Sequence, residues 1–150
     1  MRAIVQRVSG AKVISNGVIT GEIGTGFLIL LGIEHEDKEE DSIWLADKIR
    51  QMRLFEDSEE KMNLSLADID GEMLIVSQFT LHASTKKGNR PSFIRAARPE
   101  QAILLYDHFR EYLALNSGKE IKAGIFGADM QVSLVNDGPV TIMLDSKNKE

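Results

Sequence analysis

Two short segments of the chain place hydroxyl groups and exposed backbone where a substrate could bind. Residues 77–81 read SQFTL at the end of an apolar run, and residues 136–141 read NDGPVT about sixty residues later. Glycine has no Cβ, so a ligand can approach Gly138 closely, while Pro139 fixes φ and has no N–H. The pair therefore presents carbonyl oxygens in a preset direction. This pattern favours substrate binding through main-chain donors and acceptors.

Nucleophilic catalysis by a hydroxyl group has weak support in this sequence. A nucleophile at Ser77 or Thr80 would need a base beside it and a third group to orient that base. His35 lies in an acidic segment and His108 on a predicted helix, so we expect both at the surface. His82 follows Thr80 by two residues, which on an unbroken strand places both side chains on one face. A Ser-His-Asp triad is not supported.

Metal chemistry has no more support. The chain holds no cysteine and no pair of histidines at helical spacing, and its carboxylates concentrate in residues 34–41, where we expect a solvated face. We predict neither a metal nor a cofactor. The lack of cysteine also excludes disulfides and is compatible with a reducing compartment.

Length and composition indicate one globular domain. The 150 residues suit a single core, and we predict a domain over residues 1–145 followed by a polar tail over 146–150. The longest apolar run, residues 27–33, is far shorter than the ~20 residues that cross a bilayer. The first residues show no basic-then-apolar signal pattern. We therefore expect a cytoplasmic protein with no membrane contact.

The net charge of −5 argues against broad binding to a nucleic-acid backbone, but the charge is unevenly distributed. Between Glu72 and Glu100 there is no acidic residue. This window holds five basic ones: Lys86, Lys87, Arg90, Arg95 and Arg98. The window is either a solvated basic loop or a local patch that contacts a few phosphates at the end of an RNA.

The elements that must position these segments are mainly strands. Pattern and turn residues predict strands over 2–8, 11–15, 18–23, 27–33, 73–81, 129–135 and 139–145, with a hairpin turn at Asn16-Gly17. Helical spacing predicts one helix over 37–52 and a second from Pro99 through Leu115. We therefore predict an α+β domain. Its antiparallel strands curl into a barrel or sandwich, with two helices packed on one side.

The two substrate-binding segments, in this order and at this separation, resemble the D-aminoacyl-tRNA deacylase family. Members of that family hydrolyse tRNA mischarged with D-amino acids. Further similar stretches extend the resemblance over nearly the whole chain, at residues 1–8, 31–33, 53–57, 87–91 and 126–132. The resemblance implies the deacylase fold and a homodimer with active sites at the subunit interface. The implied partner is aminoacyl-tRNA, bound at its 3′ end.

The resemblance also implies how the reaction proceeds. The neighbouring ribose hydroxyl assists ester hydrolysis, and the enzyme supplies positioning and oxyanion stabilisation. The pocket beside the ester is implied to contain Ser77, Gln78, Phe79 and Thr80. Thr80 either positions the substrate or a water, which we favour, or attacks as a nucleophile.

Gly138-Pro139 resembles the family's Gly–cisPro element, which is inserted from the partner subunit. Its carbonyl groups would occupy the volume that an L side chain needs, which gives specificity by exclusion. A D side chain would point to solvent, and glycyl-tRNA would not be excluded. We expect Asn136 and Thr141 to support this element, while Arg7 is either a structural arginine or an active-site brace.

Two further residues are candidates for contact with the substrate, and three other functions are compatible with the sequence. Phe126 and Met130 resemble family positions near the adenine, although such side chains taken alone are more often part of a core. One alternative is an editing enzyme that removes a small L-amino acid, for which Gly138-Pro139 would be trans or turned away. The others are a non-catalytic RNA-binding or dimerisation module and a general serine esterase, which a covalent serine-directed inhibitor would reveal.

Overall fold

A six-stranded sheet and a layer of two helices form most of the molecule. The structure is a computed structural model that describes residues 1–150. Its strands are β1 (Arg2–Ser15), β2 (Val18–Ile23), β3 (Gly26–Gly32), β4 (Phe55–Glu56), β5 (Met62–Leu64), β6 (Glu72–Ser77), β7 (Ile121–Ala123) and β8 (Gln131–Asp145). Its helices are α1 (Glu39–Gln51), α2 (Pro99–Ser117) and a short 3₁₀ helix (Phe79–His82).

The long strand β1 organises the sheet. It pairs antiparallel with β2, β3 and β8, and the sheet continues through β6 to β7 in the order β2-β1-β3-β6-β7. Contacts of β2 with both β6 and β7 show that the sheet curls back on itself. Strands β4 and β5 form a separate two-stranded hairpin.

The predicted α+β fold, with a curled sheet and two helices, is confirmed. Two details differ. Strand β3 pairs with β6 and β6 with β7 in parallel. The strands predicted over 2–8 and 11–15 are the single strand β1, and those predicted over 129–135 and 139–145 are the single strand β8. The connection from β3 to β6 contains α1, and that from β6 to β7 contains α2. Parallel strands need such a long crossover, which returns the chain to the end where it started.

The core is divided between the two faces of the sheet. Alternate residues of β3, such as Phe27 and Ile29, pack in a cluster that includes the buried sides of α1 and α2. Leu28, between them, belongs to a second cluster with β1, β2 and β6. Because successive strand residues point to opposite faces, both faces of β3 are buried, as its continuous apolar run predicts.

Local chemistry explains where the helices begin and end. The backbone N–H of Lys38 donates to the Asp41 carboxylate at 2.9 Å, which caps the start of α1. Pro99 is the first residue of α2, and Gly118 ends it with a left-handed φ of 67°. Neither helix has the length and apolar character that a membrane span requires.

Candidate functional site

Strand β6 ends at Ser77, and the chain then leaves the sheet in the 3₁₀ helix. The backbone N–H of Gln78 still donates to β3, at 2.8 Å from the Leu31 carbonyl oxygen. The N–H of Leu81 then donates to the Gln78 carbonyl oxygen at 3.2 Å and closes the turn. The prediction of a strand over 73–81 is therefore correct up to Ser77 and wrong beyond it.

A pocket of about 610 Å³ opens at this end of β6. Its walls are the end of β6, the segment between β7 and β8, and the chain that leads into α2. It is lined by five of the residues singled out from the sequence: Ser77, Gln78, Phe79, Phe126 and Met130. Twelve of its 17 lining residues are hydrophobic, so a ligand would make mostly apolar contacts and be oriented by the few polar groups.

Two hydrogen bonds organise the polar part of the pocket. The backbone N–H of Gly127 donates to the Ser77 hydroxyl oxygen at 3.4 Å, which links two walls. The side-chain amide of Gln78 donates to the Thr80 hydroxyl oxygen. Thr80 itself does not line the pocket, and this hydrogen bond links it to the lining residue Gln78.

Aromatic side chains border the pocket on two sides. Phe79 is 57% exposed, and its ring packs edge-on against Phe93 with centroids 5.0 Å apart. Phe126 packs edge-on against Tyr106 at 5.4 Å. Burial raises the pKa of Tyr106 to about 12, so this phenol stays neutral at physiological pH.

Phe126 and Met130 belong to the edge of the core and also line the pocket. Both are half-buried and pack against the core, Phe126 on the helix side and Met130 against the second cluster. Both also line the pocket. Each side chain therefore has one surface in the core and another available to a flat ligand.

Among the lining residues that were not predicted from the sequence, two have side chains suited to contact a ligand. Asp129 carries the one charged side chain among the lining residues, and Phe93 forms part of the wall before α2. Asp129 lies within residues 126–132, one of the stretches that resemble the family. Its position next to Met130 could have indicated that it lines the pocket. Phe93 has no periodic pattern around it, and only the folded chain brings it to Phe79.

None of the three histidines lines the pocket. His82 is only 1% exposed, and neither ring nitrogen makes a hydrogen bond; its Nδ1 lies 4.0 Å from the Glu34 carboxylate. His82 and Thr80 both lie on the 3₁₀ helix. The predicted arrangement, in which the two side chains share one face of a strand, is therefore wrong. His35 is exposed as expected, whereas His108 is half-buried and hydrogen-bonds the Ser42 hydroxyl at 2.9 Å.

The second predicted segment forms a wide bulge on β8. Gln6 pairs with Thr141 and Val8 with Asn136, so the single residue Arg7 of β1 faces residues 137–140 of β8. The bulge accommodates a proline, which cannot donate to the ladder. The Gly138-Pro139 peptide bond is cis, and both residues are exposed and lie outside the pocket of their own chain.

Arg7 holds this bulge from beneath. Its side chain is 7% exposed, and its Nε donates to the Asp137 carbonyl oxygen at 3.0 Å. Its Nη1 donates to the Leu54 carbonyl oxygen at 2.7 Å. A Cβ added at Gly138, where φ is +125°, would lie 2.8 Å from the Arg7 guanidinium. Only glycine fits here without displacing the arginine.

Asn136 and Thr141 close the bulge at its ends. The Asn136 amide oxygen accepts from the backbone N–H of Val140 at 3.1 Å. The Asn136 amide nitrogen donates to the Thr141 hydroxyl oxygen at 2.9 Å. These bonds join the two ends of the bulge directly. Across the whole molecule, no group of three or more His, Cys, Asp or Glu side chains is arranged to hold a metal ion.

The fold and these two regions define a small α+β domain with an apolar, amide-containing pocket and an exposed, braced Gly-Pro bulge. The chain belongs to the D-Tyr-tRNA(Tyr) deacylase family, whose sequence profile matches residues 4–145. Curated relatives support the assignment over the full chain. A D-aminoacyl-tRNA deacylase of Akkermansia muciniphila is 59% identical over 150 residues, and one of Flavobacterium johnsoniae is 57% identical; both alignments cover 100% of each chain.

Two solved structures have the same fold. One, a c-Myc DNA unwinding element binding protein, is 44% identical with a TM-score of 0.91, and covers 97% of this chain and 98% of its own. The other, described as a probable eukaryotic D-amino acid tRNA deacylase, has a TM-score of 0.80 at 17% identity, with coverage of 95% and 97%. At that identity the second shows the fold alone.

Proposed function

We propose that the protein hydrolyses the ester bond of D-aminoacyl-tRNA and releases the free D-amino acid and the tRNA. The observation that carries this proposal is the pocket at the end of β6, which brings Ser77, Gln78 and Phe79 together with Phe126 and Met130 in a member of this family. The 3′ end of the aminoacyl-tRNA is the substrate portion that enters. For a protein with this function in translation quality control we propose a cytoplasmic location.

The composition of the pocket is compatible with assistance by the substrate. No histidine lines it, so no imidazole stands ready to activate a hydroxyl nucleophile. In our proposal the neighbouring ribose hydroxyl assists ester cleavage. The residues at the end of β6 orient the ester and stabilise the oxyanion, for which the Gln78 amide and nearby main-chain groups are suited. Thr80 positions Gln78 rather than attacking.

Phe126 and Met130 are proposed to contact the terminal adenosine. Each offers a half-buried apolar surface to the pocket, and a purine ring stacks favourably on such surfaces. The same two side chains are held by core contacts, so the surface for the base is preorganised.

Chiral selection is proposed to come from Gly138 and Pro139 of a partner subunit. Gly138 and Pro139 are exposed, and neither lines the pocket of the same chain. The pair is therefore available to contact another chain. Strand β8 pairs only with β1, and its face exposes Val135 (62%) and Met143 (70%). An unpaired edge with exposed apolar side chains favours association of two copies.

In such a homodimer the Gly138 and Pro139 carbonyl groups would fill the space required by an L side chain. A D side chain would point away, so many D-amino acids would be accepted. Glycine has no side chain to exclude, and glycyl-tRNA is therefore a second proposed substrate. The alternative, editing of a small L-amino acid, would instead require a space for that side chain beside the bulge.

A mixing experiment tests the shared site. Gly138→Ala should displace the bulge and admit L-tyrosyl-tRNA, since the new Cβ would clash with the Arg7 guanidinium. A chain with both Gly138→Ala and a disabling Gln78→Ala should hydrolyse neither ester alone. Mixed with wild type, it should create sites with an intact pocket and an altered bulge, so L-tyrosyl-tRNA hydrolysis should appear only in the mixture. No such activity in verified mixed dimers would contradict a site built from two chains.

A second candidate function, the non-catalytic RNA-binding module, gives a different result in the simplest assay. Such a module would bind tRNA without accelerating deacylation of D-tyrosyl-tRNA or glycyl-tRNA over the spontaneous rate. Single-turnover hydrolysis of both esters, with protein in excess, therefore separates the two functions. A general serine esterase would be identified by covalent labelling of Ser77.

A further inference from the structure

We infer that residues 85–91, together with Arg98, form a basic rim that contacts phosphates of the RNA part of the substrate. This inference rests on the proposed function and deepens it, since it states which surface holds the RNA while the pocket holds the ester. The basic rim is defined by four residues: Lys86, Lys87, Arg90 and Arg98. Three observations support the inference: the geometry of the loop, its position beside the pocket, and its charge.

The loop is closed at its base rather than free. Ser84 and Ser92 form an antiparallel bridge, in which each backbone N–H donates to the other residue's carbonyl oxygen, at 2.8 and 2.9 Å. The residues between them therefore project as one unit, with Gly88 at a left-handed φ of 82°. Three basic side chains, at positions 86, 87 and 90, lie on this projecting loop, and each residue is exposed.

The loop stands at the mouth of the pocket. Phe93, next to the closing bridge, lines the pocket and packs against Phe79 with ring centroids 5.0 Å apart. Ala97 also lines the pocket, and its N–H donates to the Ile33 carbonyl oxygen at 2.9 Å. Arg98 follows directly and is exposed at the start of α2. An ester bound in the pocket would extend its nucleic-acid portion past this rim.

The charges of the rim are available to a ligand. None of its four basic side chains takes part in an ion pair. Arg95, in the same window, differs because its guanidinium bonds the Glu34 carboxylate at 2.7 Å. No acidic residue lies between Glu72 and Glu100, although the chain carries a net charge of −5. Phosphate would therefore be attracted to this rim.

Salt dependence of tRNA binding tests the rim. The rim variant Lys86→Gln/Lys87→Gln/Arg90→Gln is compared with a matched control, Lys48→Gln/Lys61→Gln/Lys149→Gln, which removes three exposed lysines elsewhere. Each lost phosphate contact lowers the slope of log K against log salt by ~0.7 for single strands, so three contacts correspond to about 2. A fourfold rise in salt should then weaken tRNA binding to wild type and control about 16-fold more than binding to the rim variant.

Activity on two substrates separates this inference from the proposed function. D-tyrosyl-tRNA carries phosphates, whereas the D-tyrosyl ester of adenosine carries none. The ratio of kcat/KM for the tRNA ester to that for the adenosine ester should fall at least about tenfold in the rim variant and stay constant in the control. Equal salt slopes of tRNA binding for all three proteins would overturn the inference about the basic rim. An equal fall in kcat/KM for both esters in the rim variant would overturn it as well. Wild type inactive on both esters would instead overturn the proposed function, while the binding slopes would still report on the rim.

Discussion

The Arg7 guanidinium donates to the Asp137 carbonyl oxygen at 3.0 Å, so an arginine buried in the first strand holds the backbone immediately before Gly138. The two residues are separated by 130 positions in the chain. This contact makes the exposed Gly-Pro bulge a supported feature of the sheet rather than a free loop. The proposed chiral selection would therefore depend on β1 as much as on β8.

Replacing Arg7 should loosen this support. Arg7→Met removes charged donors from the Asp137 and Leu54 carbonyl oxygens in a buried setting, and we expect a loss of about 3 kcal/mol in the free energy of unfolding. Chemical denaturation measures it. The control Arg50→Met breaks a partly exposed pair with Asp47 and should cost less than about 1 kcal/mol. Similar losses in the two variants would contradict a special role for Arg7.

Asn136 should affect selectivity more than it affects the pocket. Asn136→Ala removes both bonds that close the bulge, and we expect a loss of about 1–2 kcal/mol in stability. Thr141→Val removes the hydroxyl oxygen that accepts from the Asn136 amide and, at 3.4 Å, from the exposed Gln6 amide. It leaves the bond from the Val140 N–H to Asn136 in place and should cost less. In both variants the D-to-L ratio of kcat/KM should decrease. If stability falls while that ratio stays constant, the bulge does not determine selectivity.

Thr80 provides a test of how the ester is cleaved. Its hydroxyl oxygen accepts a hydrogen bond from Gln78, and no histidine lines the pocket, so we expect Thr80→Ala to lower kcat about tenfold or less. Loss of a true nucleophile costs orders of magnitude more, about 10⁴-fold or greater. Thr80→Ser keeps the hydroxyl and should retain near-full activity. Complete loss of turnover in Thr80→Ala with substrate binding retained would favour direct attack.

The buried His82 should make stability depend on pH. Burial lowers the pKa of His82 below its usual 6.5, so the unfolded chain takes up a proton more readily than the folded one. Its contribution to stability is therefore complete above about pH 6.5 and decreases as the pH falls below that value. Unfolding experiments between pH 7.5 and about 5 should show this decrease, and His82→Gln should reduce it. The exposed His35→Gln is the control; equal pH slopes in both variants would contradict the assignment.

Local signals predicted much of the fold. Asn16 and Gly17 both adopt positive φ, 51° and 75°, as the hairpin turn between β1 and β2 requires. Pro99 begins α2 and Gly118 ends it, where the preferences of these residues place them. The continuous apolar run of β3 correctly indicated a strand buried on both faces. These features depend on residues that are close together in the chain, so local sequence patterns were sufficient to predict them.

Features that depend on distant contacts were not predictable in the same way. Strand β7 has only three residues, and its parallel pairing with β6 has no local signature. Alternation cannot show where a strand leaves the sheet, so the turn after Ser77 was mistaken for more strand. Likewise, Phe93 reaches the pocket and Arg7 reaches Asp137 only in the folded chain. Residues 77–80 and 136–141 were singled out from the sequence as two separate segments, whereas the remaining walls of the pocket form only in the folded chain.

The most direct test of the central claim compares hydrolysis of D-tyrosyl-tRNA and L-tyrosyl-tRNA prepared from the same tRNA, at equal enzyme concentration and against the spontaneous rates. We expect rapid release of tyrosine from the D ester and no acceleration for the L ester. Acceleration of both would contradict exclusion by Gly138 and Pro139. Acceleration of neither would contradict the proposed hydrolysis and leave an RNA-binding module.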